Sequence, residues 1–173
     1  MRRLIAVVAL ITALSGCRRD DKIKLEKTDE STPELSSIAY AGDPKTAIQL
    51  LRGFYGVESN SWRWTMGSFA VTLKPPTGSA QKGARAFLKF SIPESVTQHV
   101  GKTTLSLSVK STPVKSESYA APGEYLFTAD VPPTLLQSDA TTLSFSMDKF
   151  LTAGMVEPRE LGLVFLSCGL EAK

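Results

Sequence analysis

The chain has 173 residues, with 20 basic and 17 acidic side chains, two cysteines and one histidine. Two cysteines and one histidine cannot supply a disulfide scaffold or a clustered zinc site. The near balance of charge leaves no basic stripe of the kind that holds nucleic acid.

In chain order, the first feature is an export signal. Arg2 and Arg3 form a positive start, and Leu4 to Leu14 is an apolar run broken only by Thr12. That run is shorter than the ~20 apolar residues a membrane-spanning helix needs. Leu14-Ser15-Gly16-Cys17 reads as a lipobox, so residues 1–16 are expected to be removed and Cys17 to carry a diacylglyceryl group. Several acyl chains, at ~0.8 kcal/mol per buried methylene, make such an anchor effectively permanent. A lipidated Cys17 cannot pair with Cys168, so no disulfide is expected. Cys168 lies in the apolar stretch Leu161 to Leu170 and is expected to behave as a small buried hydrophobe. Loss of Arg2 and Arg3 leaves 18 basic against 17 acidic side chains, a net charge of +1.

Residues 17–44 are read as a lipidated, flexible tether, because their charged and polar composition buries too little apolar surface to order itself. A coil of about 26 residues has a typical reach of roughly 28 Å. Arg18 and Arg19 lie next to the anchor, where anionic headgroups attract each by about 1 kcal/mol. Residues 45–173 then form one domain, large enough to bury about two thirds of its unfolded surface.

That domain is expected to be all-β, an antiparallel β-sandwich or jelly roll of about eight or nine strands. Alternation of apolar with small or polar residues marks Ser68 to Lys74, Thr104 to Val109 and Thr142 to Met147. Further strands are placed at Ile48 to Tyr55, Arg63 to Thr65, Arg85 to Ile92, Pro113 to Tyr119, Glu124 to Ala129 and Leu161 to Leu170. Turn signals such as Lys74-Pro75-Pro76-Thr77-Gly78 and Ala121-Pro122-Gly123 separate them. Short helical turns are expected near Thr46, at Pro93 to Val100 and at Pro133 to Gln137.

The domain shows no Gly-x-Ser-x-Gly elbow, no phosphate-cradling glycine loop and no aspartate-rich calcium loop. No catalytic residue, metal or cofactor is therefore expected. Two segments stand out by residue type. The first runs from Gly53 to Trp64 and holds Tyr55, Glu58, Trp62, Arg63 and Trp64. Aromatic rings beside hydrogen-bonding forks suit sugar recognition, since apolar sugar faces stack on flat rings while Arg and Glu bond the hydroxyls. Trp62 and Trp64 share one face at period two. That face is either a sugar platform or the core, with Arg63 turned the other way. The second segment is Glu157-Pro158-Arg159-Glu160-Leu161-Gly162-Leu163. Arg159 there can fix a loop by a charge-assisted fork to a carboxylate, with Glu58 as its partner where the two segments meet.

The pattern Gly53-Phe54-Tyr55, Glu58, Arg63-Trp64 and Arg159-Glu160-Leu161-Gly162-Leu163 resembles a group of bacterial β-sandwich modules that occur alone or attached to glycosyltransferases of surface-polysaccharide pathways. Those modules are similar in architecture to jelly-roll carbohydrate-binding modules. The resemblance covers about residues 48–170 and departs from the pattern at Glu157, where the modules often carry aspartate. It implies a non-catalytic domain with a glycan connection. Tyr55, Glu58, Trp62 and Arg63 are the expected sugar-facing residues, and Trp64, Arg159 and Glu160 the structural ones. The alternatives are a structural or assembly lipoprotein docking onto another envelope protein and, third, a hydrolase. Residue 18 is arginine and not the aspartate that signals inner-membrane retention, so the expected address is the cell envelope, at the outer membrane of a host that has one.

Overall fold

The computed structural model describes residues 34–173, so the signal sequence, Cys17 and most of the tether lie outside the described residues. Nine strands make up the domain: β1 (Ile38–Tyr40), β2 (Leu50–Phe54), β3 (Arg63–Leu73), β4 (Ala84–Ile92), β5 (Thr103–Val109), β6 (Thr112–Tyr119), β7 (Gly123–Val131), β8 (Thr141–Met147) and β9 (Val164–Ala172). All pair antiparallel. One layer runs β6-β5-β8-β3-β2 and the other β7-β4-β9, with β1 on the free side of β9. The expected all-β sandwich is the observed one.

Period-two alternation explains the first layer. Leu105, Leu107 and Val109 of β5, and Leu143, Phe145 and Met147 of β8, point into the core, while Thr104, Ser106, Ser108, Thr142, Ser144 and Ser146 point out. Pairing register lines up Ser116, Ser106, Ser146 and Ser68 in one row across four strands. Rings join the layers: Phe54 of β2 lies edge-on to Phe165 of β9 at 5.0 Å between centroids, and Phe127 of β7 meets Phe145 at 6.2 Å. In the second layer β4 turns Ala84, Ala86, Leu88, Phe90 and Ile92 into the core, and on its outward face Arg85 and Lys89 are exposed while Phe87 is covered. Its outward Phe87 lies over Gly169, where an added Cβ would stand 2.4 Å from the ring.

Two strands expected at Arg63 to Thr65 and Ser68 to Lys74 are one eleven-residue strand, β3. Its first residues pair with β9 (Trp64 with Val164), and from Ser68 onward it pairs with β8, so it serves both layers. Backbone groups left without a ladder partner at the crossing are satisfied by the loop before β9. Thr65 N–H donates to the Leu163 carbonyl (2.8 Å), Gly162 N–H donates to the Thr65 carbonyl (2.7 Å), and Gly67 N–H donates to the Glu160 carboxylate (2.8 Å). Because Gly162 and Leu163 make these bonds and Leu161 pairs with Leu151, β9 starts at Val164 and not at the expected Leu161.

The sandwich also begins earlier than the polar composition implies. Ile38–Tyr40, inside the stretch expected to be tether, pairs with β9, and Ala39 and Ala41 have no exposed surface. The fully buried Gln49 side chain holds this segment down: its amide donates to the carbonyls of Ser36 (2.9 Å) and Thr72 (2.8 Å), and its oxygen accepts from Ser36 N–H (3.1 Å). A three-residue strand with a lone inward alanine carries too little hydrophobic period to be read before its partners are known.

Helical turns occupy Ala47–Gln49, Glu94–Val100 and Pro133–Leu135, at the expected places, and one at Ser79–Lys82 that was not expected. Cys168 is fully buried opposite Ala39 and Leu88, and burial pushes its thiol well above the usual range, in keeping with a packing role. On the side where β6 and β7 are sheet edges, Lys115 points inward. It donates to the Thr128 carbonyl (2.8 Å), lies 4.9 Å over the Phe127 ring and pairs with Glu117 (2.7 Å), which guards the edge against further strand pairing.

The β5–β6 hairpin turns through Lys110 (φ 48°) and Ser111 (φ 65°), two non-glycine residues in the left-handed region. A two-residue turn of this hand favours Asn-Gly. Replacing Lys110→Asn with Ser111→Gly is expected to raise stability by roughly 1 kcal/mol, read as a higher urea midpoint with an unchanged slope.

Candidate functional site

The site grows from two loops at the end of the sandwich where β3 enters. Gly53, at φ 76°, turns the chain so that Phe54 packs into the core between Phe69 (5.4 Å) and Phe165 (5.0 Å). Tyr55 N–H then donates to the Trp64 carbonyl (3.0 Å). Next comes a tight turn, with Glu58 N–H donating to the Trp62 carbonyl (2.8 Å) and Ser61 N–H to the Glu58 carbonyl (3.1 Å). Its tip, Ser59 (φ 50°) and Asn60 (φ 53°), is left-handed at both central residues. Strain of this kind gathers where a loop is held for a purpose.

Arg63 is the clamp of this loop. Its Nε donates to the Ala41 carbonyl (2.8 Å) and one terminal nitrogen to the Tyr55 carbonyl (3.0 Å). The expected sugar-facing role therefore shifts away from Arg63, because carbonyls left without backbone partners draw its donors inward. Trp62 and Trp64 stand edge to face, 6.5 Å apart and at 82°. Trp64 packs against the core cluster, whereas Trp62 is half-buried and lies outside it. The two tryptophans share a face, but only Trp64 serves the core.

The second loop brings Arg159. Its guanidinium makes a fork to both Glu157 oxygens, one of them at 3.2 Å, and its other terminal nitrogen donates to Glu58 Oε1 at 3.3 Å. The same group sits 5.1 Å from the centre of the Tyr55 ring, within cation–π range. Arg159, Glu58 and Glu157 keep about a third of their side-chain surface exposed (37%, 37% and 33%). The fork from Arg159 holds the Glu157 carboxyl below the usual carboxylate range. The Glu58–Arg159 contact joins the two segments across 101 positions of sequence.

Arg159, expected as a structural residue, brings Tyr55 and Glu58 together, and Trp62 is bridged to Glu58 through the backbone. Glu160 is turned away to Gly67 and holds the β3 crossing. Glu157 was not among the expected site residues, although its spacing from Arg159 across Pro158 is the signal that marks it. Sequence reading also missed Val57, Met155 and Val156, which adjoin the ion pairs along the chain and are 41%, 46% and 50% exposed. Among the described residues, no group of three His, Cys, Asp or Glu side chains lies close enough to hold a metal ion. His99 is exposed on the turn after β4, its Nδ1 2.7 Å from the Ser95 carbonyl oxygen.

Chemically, the patch offers one half-buried indole, a second ring whose face is taken by a guanidinium, and an Arg159–carboxylate fork with free lone pairs. No protein-family model matches the sequence, and no curated protein matches it. Among solved structures, the chain is similar to the CBM36-1 domain of a multidomain xylanase from the hindgut metagenome of Trinervitermes trinervoides, at 9% identity and a TM-score of 0.38, over 79% of this chain and 96% of that one. It is also similar to a structure described as CBM4, at 11% identity and a TM-score of 0.39, over 79% of this chain and 85% of that one.

Proposed function

We propose that this protein is a lipid-anchored, non-catalytic envelope module that binds glycan through the surface formed by Trp62, Glu58, Arg159 and Glu157. The observation that carries the reading is the division of labour between the two tryptophans. Trp64 packs on the core, while Trp62 lies outside it, bridged through the backbone to Glu58, whose carboxylate meets Arg159 of the second loop. Beyond its edge-to-face contact with Trp64 that indole has no place in the core, and sugar stacking is a use for the part left exposed. The anchor rests on the signal run and on Cys17.

Binding of the mature chain to an array of bacterial polysaccharides tests the site. Trp62→Ala is expected to weaken binding at least tenfold, about 1.4 kcal/mol, with an unchanged fold by circular dichroism. An equal affinity for the variant would refute the assignment. The anchor has its own test: Cys17→Ser is expected to move the protein from the membrane pellet to the soluble fraction. Retention in the pellet after a carbonate wash would contradict lipid attachment through Cys17.

A second reading, docking onto another envelope protein, draws on the outward face of the second layer, where Tyr40 and Leu126 are 51% and 56% exposed. Copurification of one envelope protein, lost with Leu126→Asp and indifferent to Trp62→Ala, would favour it.

A further inference from the structure

We infer that the Trp62 surface takes uncharged glycan chains and rejects those bearing carboxylates or phosphates, an inference that rests on the glycan-binding reading above. The two segments that build the surface, residues 53–64 and 157–163, carry Glu58, Glu157 and Glu160 against Arg63 and Arg159, a net charge of −1. What matters more is where those cations already point. Arg63 spends Nε and a terminal nitrogen on the carbonyls of Ala41 and Tyr55. Arg159 gives Nε and one terminal nitrogen to Glu157 and the other terminal nitrogen to Glu58, while its π-facing side lies over Tyr55.

Recognition of an anionic sugar needs a guanidinium whose fork is open for the incoming carboxylate or phosphate. Here both ends of the Arg159 fork face protein carboxylates. An incoming anion would have to displace one of them, leaving it close by and unpaired, and at 4–5 Å two like charges repel. A neutral sugar meets no such obstacle. Its hydroxyls can donate to the free lone pairs of Glu58 and Glu157 and accept from the exposed amide and hydroxyls of Asn60, Ser59 and Ser61, while a ring face lies on Trp62. Hydrogen bonds of that kind are weakly screened, so binding should be nearly independent of salt.

The test uses the mature full chain against paired polysaccharides of similar backbone, one neutral and one carrying uronic acid, at about 20 mM and 500 mM salt, concentrations that span strong and weak screening. Wild type is expected to bind the neutral chain with less than about a twofold change over that range and the anionic chain at least tenfold more weakly. The double variant Glu58→Gln with Glu157→Gln, which frees the Arg159 fork, is expected to gain the anionic chain, with binding that falls steeply as salt rises. Tighter binding of the anionic chain by wild type, weakened by salt and by Trp62→Ala, would overturn the inference and leave the glycan reading standing. Absence of binding to either chain, with Trp62→Ala without effect, would overturn both.

Discussion

Phe165→Ala is expected to lower the stability of the domain by about 3–5 kcal/mol, the range for deleting a fully buried phenylalanine. Phe165 has no exposed surface, lies edge-on to Phe54 at 5.0 Å and sits opposite both Arg63 and Phe90 in the strand registers. It therefore occupies the point where the two layers, β3 and the site loops converge. Its neighbours belong to three different strands held by their own ladders, so the cavity cannot be filled by one side chain moving. Urea unfolding reads the effect as a lower midpoint at constant slope. Against a typical stability of about 5–15 kcal/mol, the variant would be near the limit of folding at 37 °C. A loss below about 1.5 kcal/mol would mean that the strands close the gap and that the junction is less rigid than its packing implies.

The second large effect is expected at Gly53. A Cβ there would stand 2.1 Å from the Ser68 carbonyl oxygen and 2.7 Å from the Phe69 Cα, with φ at 76°. Gly53→Ala adds about 1–2 kcal/mol for the left-handed backbone and about 1–3 kcal/mol for overpacking. Thermal unfolding should show a fall in Tm of several degrees for each kcal/mol. Gly101→Ala separates the two causes: its φ is 68°, but no atom lies within 4 Å of the added carbon. It should show the torsional part alone. Equal losses at the two positions would show that the close approach at Ser68 is relieved by movement of β2. Because Gly53 aims both Phe54 and Tyr55, its alanine variant should also weaken whatever binds beside Arg159.

Much of the architecture was legible before any coordinates. Strands β5 and β8 alternate so regularly that their inward and outward faces follow from sequence, because both lie in a layer with one face in water. β4 reads less cleanly, since Phe87 faces outward and is still covered by Gly169 and Ile38. β1 escaped notice because its single inward side chain is an alanine and its fixing partner, Gln49, is a polar residue buried only through bonds to distant carbonyls. The expected break between residues 65 and 68 reflects a true change of partner within β3, although the chain continues through it as one strand.

At the site, the sequence by itself determined the ingredients: two tryptophans at period two, an arginine between them, and a second arginine flanked by carboxylates. The export signal and lipobox proposed for residues 1–17 likewise rest on the sequence. Only the tertiary structure decided what each group does. Whether an arginine binds a ligand or a loop depends on which carbonyls lack partners nearby, and Arg63 found those of Ala41 and Tyr55. Arg159 found Glu58 across 101 positions. Local pattern records how a residue faces along its own strand. The competition among donors and acceptors that chain closure brings together is a property of the fold, and it separated the clamp from the exposed surface.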